Sequence, residues 1–296
     1  MGEILKGKPV VQALRENIQE RIAKLNKLGI NPTIHIFRVG EREDDISYEK
    51  GILKNCELLG IKSQVTVLPV DISMEEFISA AEAANKNDDI HGIMIFRPLS
   101  KQLDQDVISN LINPLKDIDC MSPSNLERVF EGDESMFVPC TPKAVVEMLK
   151  GYNIPLKGAN IVVAGRSMVV GKPLAMLLLN ENATVTICHS KTKDMPLFTR
   201  KADIVVAAIG KPKFMGPEFF GPESIVIDVG INNDGDGKIC GDVDFDCTVN
   251  SVKAITPAVG GVGSITTTIL LRQVVLACEI LSSKAGKRVE SEENYK

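Results

Sequence analysis

The segment from Gly165 to Pro173 has the residue types and spacing that can bind a phosphate group. A short apolar run, Ile161–Ala164, precedes it, and a run of helix-forming residues, Leu174–Leu179, follows it. The first run is too short for a helix and predicts a strand buried on both faces of a parallel sheet. Pro173 suits a first helical turn, where a missing N–H costs nothing. A strand, a glycine turn and a helix together direct free backbone N–H groups at an anion.

This segment departs from the dinucleotide-binding pattern G-x-G-x-x-G. Ser167 stands in the place of the second glycine, and Gly171 lies one residue late. The pattern alone is therefore equally typical of an ordinary turn between a strand and a helix.

A second β-rich run, Thr184–Cys188, leads into His189-Ser190-Lys191-Thr192-Lys193. A dinucleotide-binding fold places the residues that contact the ribose at this point. A carboxylate there would accept hydrogen bonds from the 2′-hydroxyl of NAD. Ser190, its lysine neighbours and Arg166 offer donors and positive charge instead, which favours a 2′-phosphate and hence NADP. NAD is the alternative, because a lysine pair after a strand is also typical of a solvated loop.

The elements around these residues predict an α/β protein. Two further apolar runs, Ile204–Ile209 and Ile225–Val229, complete a doubly wound parallel sheet of the Rossmann type. The N-terminal half also alternates helices and strands. We predict helices over 9–28, 45–59 and 74–87, strands over 33–39, 64–68 and 92–96, a helix from Thr141 and a long helix over 266–281.

Length and composition exclude several classes of protein. A chain of 296 residues accommodates two domains, and a net charge of −5 makes a nucleic-acid partner improbable. We expect no membrane association, because no apolar run approaches a spanning length and the N-terminus lacks a signal-peptide core. The seven cysteines form no C-x-x-C pair and only three histidines are present, so we expect no metal site. Scattered free thiols are typical of a cytoplasmic protein.

Several motifs together resemble the bifunctional methylenetetrahydrofolate dehydrogenase/methenyltetrahydrofolate cyclohydrolases. They run nearly from end to end, and their common order makes the resemblance specific. The motifs are Val39-Gly40, Ser47-Tyr48, Lys54–Ile61, Pro114–Asp119, Pro139–Pro142, Gly165–Pro173, Ala183–Thr192, Ile227–Ile231, Gly241–Val243 and Thr256–Gly263.

The resemblance implies the architecture and the partners. It implies a folate-side α/β domain over 1–139, completed by the helix at about 266–282, and an NADP-binding Rossmann domain over 140–265, with a cleft between them. We expect residues 284–296 to form a disordered tail, because they are highly charged. The family is usually homodimeric, and its substrate is a small-molecule tetrahydrofolate derivative.

The resemblance also implies roles for individual residues. By family position, Tyr48 lies against the folate ring system and Asp119 accepts hydrogen bonds from the donor edge of the pterin. The cofactor-binding positions are Gly165, Arg166, Ser167, Ser190 and Ile231. Without the family motifs, Tyr48 would be interpreted as a surface aromatic residue and Asp119 as a loop cap.

The chain departs from the family at the catalytic lysine, which lies four residues after the tyrosine. Ile52 occupies that position here. Lys50 and Lys54 are not substitutes, because they lie about 200° and 240° around the helix from Tyr48.

The glutamine that hydrogen-bonds the lysine in the family is replaced by Phe96. Arg97 is adjacent, but we expect it to point away, because successive strand residues face opposite sides. An always-charged guanidinium is in any case a poor proton shuttle. Further departures are Ser100, Cys120, Val259 and Ser264.

These departures affect the two family reactions differently. Hydride transfer needs two carbons held at near-attack distance, whereas hydrolysis of the methenyl product gains about 10²–10⁴-fold from positioned acid–base groups. Our first hypothesis is therefore an NADP-dependent methylenetetrahydrofolate dehydrogenase with weak or no cyclohydrolase activity. One alternative retains both activities through a relocated proton acceptor, Tyr48 or Asp119. Another is a non-catalytic paralogue that binds nucleotide or folate.

Overall fold

The computed structural model describes residues 2–235 and 237–293, without the side chains of residues 284–293. The strands are β1 (Glu3–Ile4), β2 (Thr33–Val39), β3 (Lys62–Leu68), β4 (Gly92–Ile95), β5 (Asn160–Ala164), β6 (Thr184–Cys188), β7 (Ile204–Ala207), β8 (Ile225–Asp228), β9 (Asn232–Asn233), β10 (Ile239–Cys240) and β11 (Ala254–Ile255). The helices are α1 (Lys8–Lys27), α2 (Glu43–Leu59), α3 (Met74–Lys86), α4 (Gln105–Leu111), α5 (Pro123–Glu131), α6 (Cys140–Gly151), α7 (Gly171–Asn180), α8 (Pro196–Thr199), α9 (Phe245–Thr248) and α10 (Val262–Glu293).

The chain forms two compact units. The six-stranded unit contains residues 2–13, 129–133 and 139–269. The three-stranded unit contains residues 14–128, 134–138 and 270–293. The α/β class predicted from the sequence is confirmed in both units.

The six-stranded unit is built on a parallel sheet in the order β1-β11-β8-β7-β5-β6. Strands β5 and β7 are buried over Ile161–Ala164 and Ile204–Ala207, which explains why they are continuous apolar runs. Strand β6 lies on one side of β5, and the next strand along the chain, β7, lies on the other side of β5. The predicted doubly wound sheet is therefore present, with its switch point between β5 and β7.

The N-terminal segment belongs to the six-stranded unit and not to the N-terminal domain expected from the sequence. Strand β1 pairs in parallel with β11, and Gly7 N donates to Gly260 O at 2.8 Å. Gly7 permits this approach, since a Cβ there would lie 2.4 Å from Gly261 O. A two-residue strand carries no periodicity, so this pairing could not be predicted from sequence patterns.

The three-stranded unit has the parallel order β3-β2-β4. Phe37, Phe77, Ile93 and Ile108 lie in its core. Local signals fix its helix ends as the sequence predicts. Gly60 ends α2 in the left-handed conformation at φ 74°, and Ser73 and Glu76 form the reciprocal capping box of α3.

Helix α10 begins earlier and ends later than the sequence predicts. It continues to Glu293, whereas the sequence predicts a disordered tail over 284–296; residues 294–296 lie outside the described residues. Helix formers such as Lys, Ala, Arg and Glu extend an existing helix readily. By length and composition alone, Val262–Ser283 could cross a membrane, contrary to the sequence expectation. However, 61% of its most apolar stretch is buried in the protein, as in a core helix.

Candidate functional site

Tyr48 and Ile52 lie one turn apart on the same face of α2. Ile52 is completely buried and Tyr48 is half-buried. The ion pair between Arg38 of β2 and Glu49 of α2, with 2.8 Å between Arg38 Nε and Glu49 Oε2, fixes this helix against the sheet. Lys50 is exposed, as expected for a residue on the opposite face of the helix. The position that the family resemblance assigns to the lysine therefore holds a buried apolar side chain.

Phe96 packs against Tyr48. The two ring centroids lie 5.9 Å apart at an interplanar angle of 78°, an edge-to-face arrangement. Phe96 is 5% exposed, and its backbone N–H donates to Phe37 O at 3.1 Å, which extends the β4 pairing by one residue. The structure thus brings together Tyr48, Ile52 and Phe96, three positions that the sequence placed in one site.

Arg97 contacts the predicted pterin-binding carboxylate. Its Nη2 donates to Asp119 Oδ2 at 2.9 Å, and the two side chains are 20% and 24% exposed. From strand alternation we expect Arg97 to point away from the site, whereas its side chain contacts the residue that is predicted to bind the pterin. Strand β4 ends at Ile95, so strict side-chain alternation does not extend to Arg97.

The loop that carries Asp119 is held by its neighbours. Asp117 accepts hydrogen bonds from the backbone N–H groups of Met121 and Ser122, each at 2.8 Å, and from Asn125 Nδ2 at 3.0 Å. On the other side, Gln273 Nε2 of α10 donates to Ile118 O at 2.5 Å. Asp119 therefore lies on a loop whose backbone is fixed on both sides.

Two more residues of this loop have unusual environments. The buried Lys116 donates from Nζ to the carbonyl oxygens of Ala84, Asn85 and Asn87, near the end of α3. Burial lowers the pKa of this lysine. Cys120 has a φ of 55°, in the left-handed region, which explains why glycine suits this position in the family.

In the six-stranded unit, the loop after β5 has the close packing that a phosphate-binding turn requires. Gly165 has a φ of 149°, and a Cβ there would lie 2.2 Å from Ala208 O. A Cβ on Gly171 would lie 2.2 Å from Gly165 O. Ser167 Oγ accepts from Val170 N at 3.1 Å, which closes the turn before α7. Only glycine fits at positions 165 and 171, although their spacing departs from G-x-G-x-x-G.

The five predicted cofactor residues follow strands of one parallel sheet. Gly165, Arg166 and Ser167 follow β5, Ser190 follows β6, and Ile231 follows β8. All of them except Gly165 are exposed. Because the strands are parallel, their carboxyl ends share one edge of the sheet, which is where such folds bind dinucleotides. The residues present fit a dinucleotide cofactor.

Two buried carboxylates organise this edge, and neither was among the site residues predicted from the sequence. Asp242, which is completely buried, accepts hydrogen bonds from the backbone N–H groups of residues 209, 210 and 211 and from Asn232 Nδ2, at 2.5–3.0 Å. It therefore fixes the loop that follows β7. The signal available in the sequence was the Gly241-Asp242-Val243 motif, but a motif does not reveal which backbone groups a carboxylate contacts.

Asp228 is the second carboxylate. It accepts from the backbone N–H groups of Gly230, Asp242 and Val243 at 2.9–3.1 Å. Burial raises the pKa of Asp228 to about 6, although these three N–H groups act in the opposite direction. Within the described part of the chain, no group of His, Cys, Asp or Glu side chains is arranged to hold a metal ion.

Two family models match the chain. Residues 5–119 match the catalytic domain of tetrahydrofolate dehydrogenase/cyclohydrolase, and residues 139–282 match its NAD(P)-binding domain. The chain is 57% identical to the bifunctional protein FolD 1 of Desulfitobacterium hafniense, over 94% of this chain and 99% of the relative.

Solved structures show the same similarity. The bifunctional FolD dehydrogenase/cyclohydrolase of Campylobacter jejuni has a TM-score of 0.91 and 38% identity, over 94% of this chain and 99% of its own. The Trypanosoma brucei enzyme, solved with NADP and an inhibitor, has a TM-score of 0.89 and 31% identity, over 94% of this chain and 97% of its own. The chain described here belongs to the tetrahydrofolate dehydrogenase/cyclohydrolase family.

Proposed function

We propose that this protein oxidises 5,10-methylenetetrahydrofolate to 5,10-methenyltetrahydrofolate with NADP, and that it hydrolyses the methenyl product slowly or not at all. The observation that carries the second part is Ile52, completely buried one turn after Tyr48 at the position of the family's catalytic lysine.

The dehydrogenase half of the proposal rests on intact binding elements. When bound, NADP supplies the hydride-accepting ring, and the lone pair of the folate nitrogen drives the hydride away from the methylene carbon. The loop after β5 binds the phosphates through its backbone, and Arg166 and Ser190 bind the 2′-phosphate. Tyr48 and Asp119 bind and orient the folate. These residues need only position the reactants, because no protein group has to move a proton in this step.

The hydrolase half has lost its proton-handling group. A water that attacks the methenyl carbon must lose a proton, and a positioned base or acid accelerates such a step about 10²–10⁴-fold. The side chains of Ile52 and Phe96 cannot accept or donate a proton. Phe96 packs edge-to-face against Tyr48, so an apolar ring occupies the position that the resemblance assigns to the glutamine.

A fully bifunctional enzyme is the second candidate. The observation in its favour is the D. hafniense relative, which is named bifunctional and is 57% identical over 94% of the chain. In this case Tyr48 or Asp119 would have to replace the lysine as the proton acceptor. Asp119 has Arg97 as a close counter-ion, which stabilises the carboxylate form and makes it a weaker base.

One assay tests the proposal. Purified protein is mixed with 5,10-methylenetetrahydrofolate and either NADP or NAD, and NADPH or NADH and the methenyl compound are followed in the same sample. We expect NADPH and methenyltetrahydrofolate to accumulate together, faster with NADP than with NAD. An absence of reduced cofactor would exclude a dehydrogenase and would favour a non-catalytic paralogue. NADPH formation without methenyl accumulation would favour the bifunctional enzyme.

We also propose that the protein is a homodimer, as the family resemblance implies, and that it is cytoplasmic, because scattered free thiols are typical of a reducing compartment. Sedimentation equilibrium of the purified protein would test the dimer. A monomer at micromolar concentration would contradict it.

A further inference from the structure

The ion pair between Arg97 and Asp119 places a cation and a carboxylate side by side at the predicted folate site. Arg97 follows Phe96 directly, and Phe96 packs against Tyr48, so one segment links the pair to the aromatic residues of the site. Both side chains of the pair are partly exposed, at 20% and 24%, so a ligand can reach them.

We propose that Arg97 is a specificity-determining residue, which together with Asp119 binds a neighbouring N–H donor and C=O acceptor on the pterin ring. This inference rests on the proposed folate specificity and extends it. In a 2-amino-4-oxopyrimidine ring, the N3–H donor lies next to the oxygen at position 4. A carboxylate accepts from the donor, and an adjacent guanidinium donates to the oxygen.

The geometry of the pair favours this division of roles. A guanidinium carries five N–H groups in a fixed plane, and the contact with Asp119 Oδ2 engages Nη2. Arg97 can therefore hold Asp119 and donate to a ligand oxygen in the same plane. Lysine cannot do both in this way, because its ammonium group is a point charge without a planar fork.

The loop around Asp119 is rigid enough to make the pair a selective site. Asp117 holds the backbone of Met121 and Ser122, and Gln273 holds Ile118. These contacts fix the backbone on either side of Asp119, and the hydrogen bond from Arg97 orients its carboxylate. A site built to bond a particular polar group rejects the analogue that lacks it.

A matched pair of ligands tests this inference. Folic acid and its 4-amino analogue, aminopterin, differ at two neighbouring positions of the pteridine ring: the oxygen acceptor at position 4 is replaced by an amino donor, and N3 changes from a donor to an acceptor. Each compound is measured as a competitive inhibitor of methylenetetrahydrofolate oxidation by wild-type protein, Arg97→Leu and Arg97→Lys. Melting temperature and the KM for NADP show whether each variant is folded.

We expect wild-type protein to bind folic acid at least tenfold more tightly than the 4-amino analogue. Arg97→Leu should weaken the binding of folic acid about tenfold and lower the ratio of the two inhibition constants toward one, because the donor to the oxygen at position 4 is lost while Asp119 can still accept from an amino group of either compound. Arg97→Lys should give an intermediate ratio. If Arg97→Leu does not fold, the ratio for Arg97→Lys decides the question.

The outcomes separate this inference from the proposed function. If oxidation of methylenetetrahydrofolate is absent in wild-type protein, the proposed function fails and the inference fails with it. If oxidation is present but the ratio is the same in wild type and the folded variants, or neither compound competes, only the role of Arg97 is wrong.

Discussion

Single residues determine what the folate site can do, and Ile52 is the most informative of them. It is completely buried on the face of α2 that carries Tyr48, and Phe96 packs against Tyr48 from the neighbouring strand end. If the family lysine and its glutamine partner are both replaced, as the resemblance implies, the two changes are physically consistent, because a lysine without its partner in an apolar corner would be poorly solvated.

Restoring both residues should restore hydrolysis. We predict that the double variant Ile52→Lys with Phe96→Gln accelerates hydrolysis of methenyltetrahydrofolate about 100-fold over wild type, because a positioned amine can handle the proton. The decay of methenyl absorbance measures this rate. The control is Ile52→Met with Phe96→Gln, which changes the packing similarly without an amine and should gain less than threefold. Equal rates in the double variant and the control would contradict this role of the lysine position.

Asp228 gives a prediction about pH. Its pKa in the folded protein is raised from 3.8 to about 6, mainly by burial. Asp228 therefore binds a proton more tightly in the folded protein than in the unfolded chain. The protonated group stabilises the folded state, and this stabilisation is complete below about pH 4 and is lost as pH rises through about 6. The loss is about 3 kcal/mol at most.

Urea unfolding at pH 4, 5, 6 and 7 tests this prediction. Asp228→Asn removes the titration, so the free energy of unfolding of wild type, minus that of the variant, should fall as pH rises from 4 to 7. A difference that is constant or rises over this range would show that the pKa of Asp228 is not raised.

At the scale of elements, the sequence predicted what local interactions determine. Gly60 and the Ser73–Glu76 capping box fix helix ends within a few residues, and the apolar runs of β5 and β7 predicted buried strands. Short elements such as β1 and β11 were missed, because two residues carry no period and depend on a partner distant in sequence. The contact of Arg97 with Asp119 was missed for a related reason, since a side chain beyond a strand end has no fixed direction.

The loop after β7 should depend on Asp242. We predict that Asp242→Asn raises the KM for NADP about tenfold and leaves the KM for the folate substrate within twofold. The side chain of asparagine has one acceptor oxygen where aspartate has two, so it cannot accept from all four donors that now bond the carboxylate. The loop of residues 209–211 would therefore lose its position.

Steady-state kinetics with each substrate varied in turn measures both constants. Asp246→Asn, an exposed position in the same part of the chain, is the matched control and should change neither. A rise of the same size in both KM values would indicate general damage and not the loss of one loop.

At the scale of the whole molecule, burial divides the cysteines into two classes. Cys247 is exposed, whereas Cys56, Cys120, Cys140, Cys188, Cys240 and Cys278 are buried. Burial also raises the pKa of Cys56 to about 12, so very little of its reactive thiolate form exists at neutral pH.

We predict that iodoacetamide modifies Cys247 first in the native protein and reaches the other six only after unfolding. Peptide mass spectrometry over a time course measures this order, and Cys247→Ser should remove the fast phase. Rapid modification of Cys56 in native protein would contradict the packing of α2.

The direct hydrolysis of added 5,10-methenyltetrahydrofolate tests the central claim most simply. Its absorbance is followed at neutral pH in buffer alone, with wild-type protein, and with a bifunctional relative as the positive control. We predict that the wild-type protein changes the rate less than twofold from that of buffer, while the same preparation reduces NADP with methylenetetrahydrofolate. Decay at the rate of the bifunctional relative would show that this chain handles the proton without the family lysine and would overturn the account.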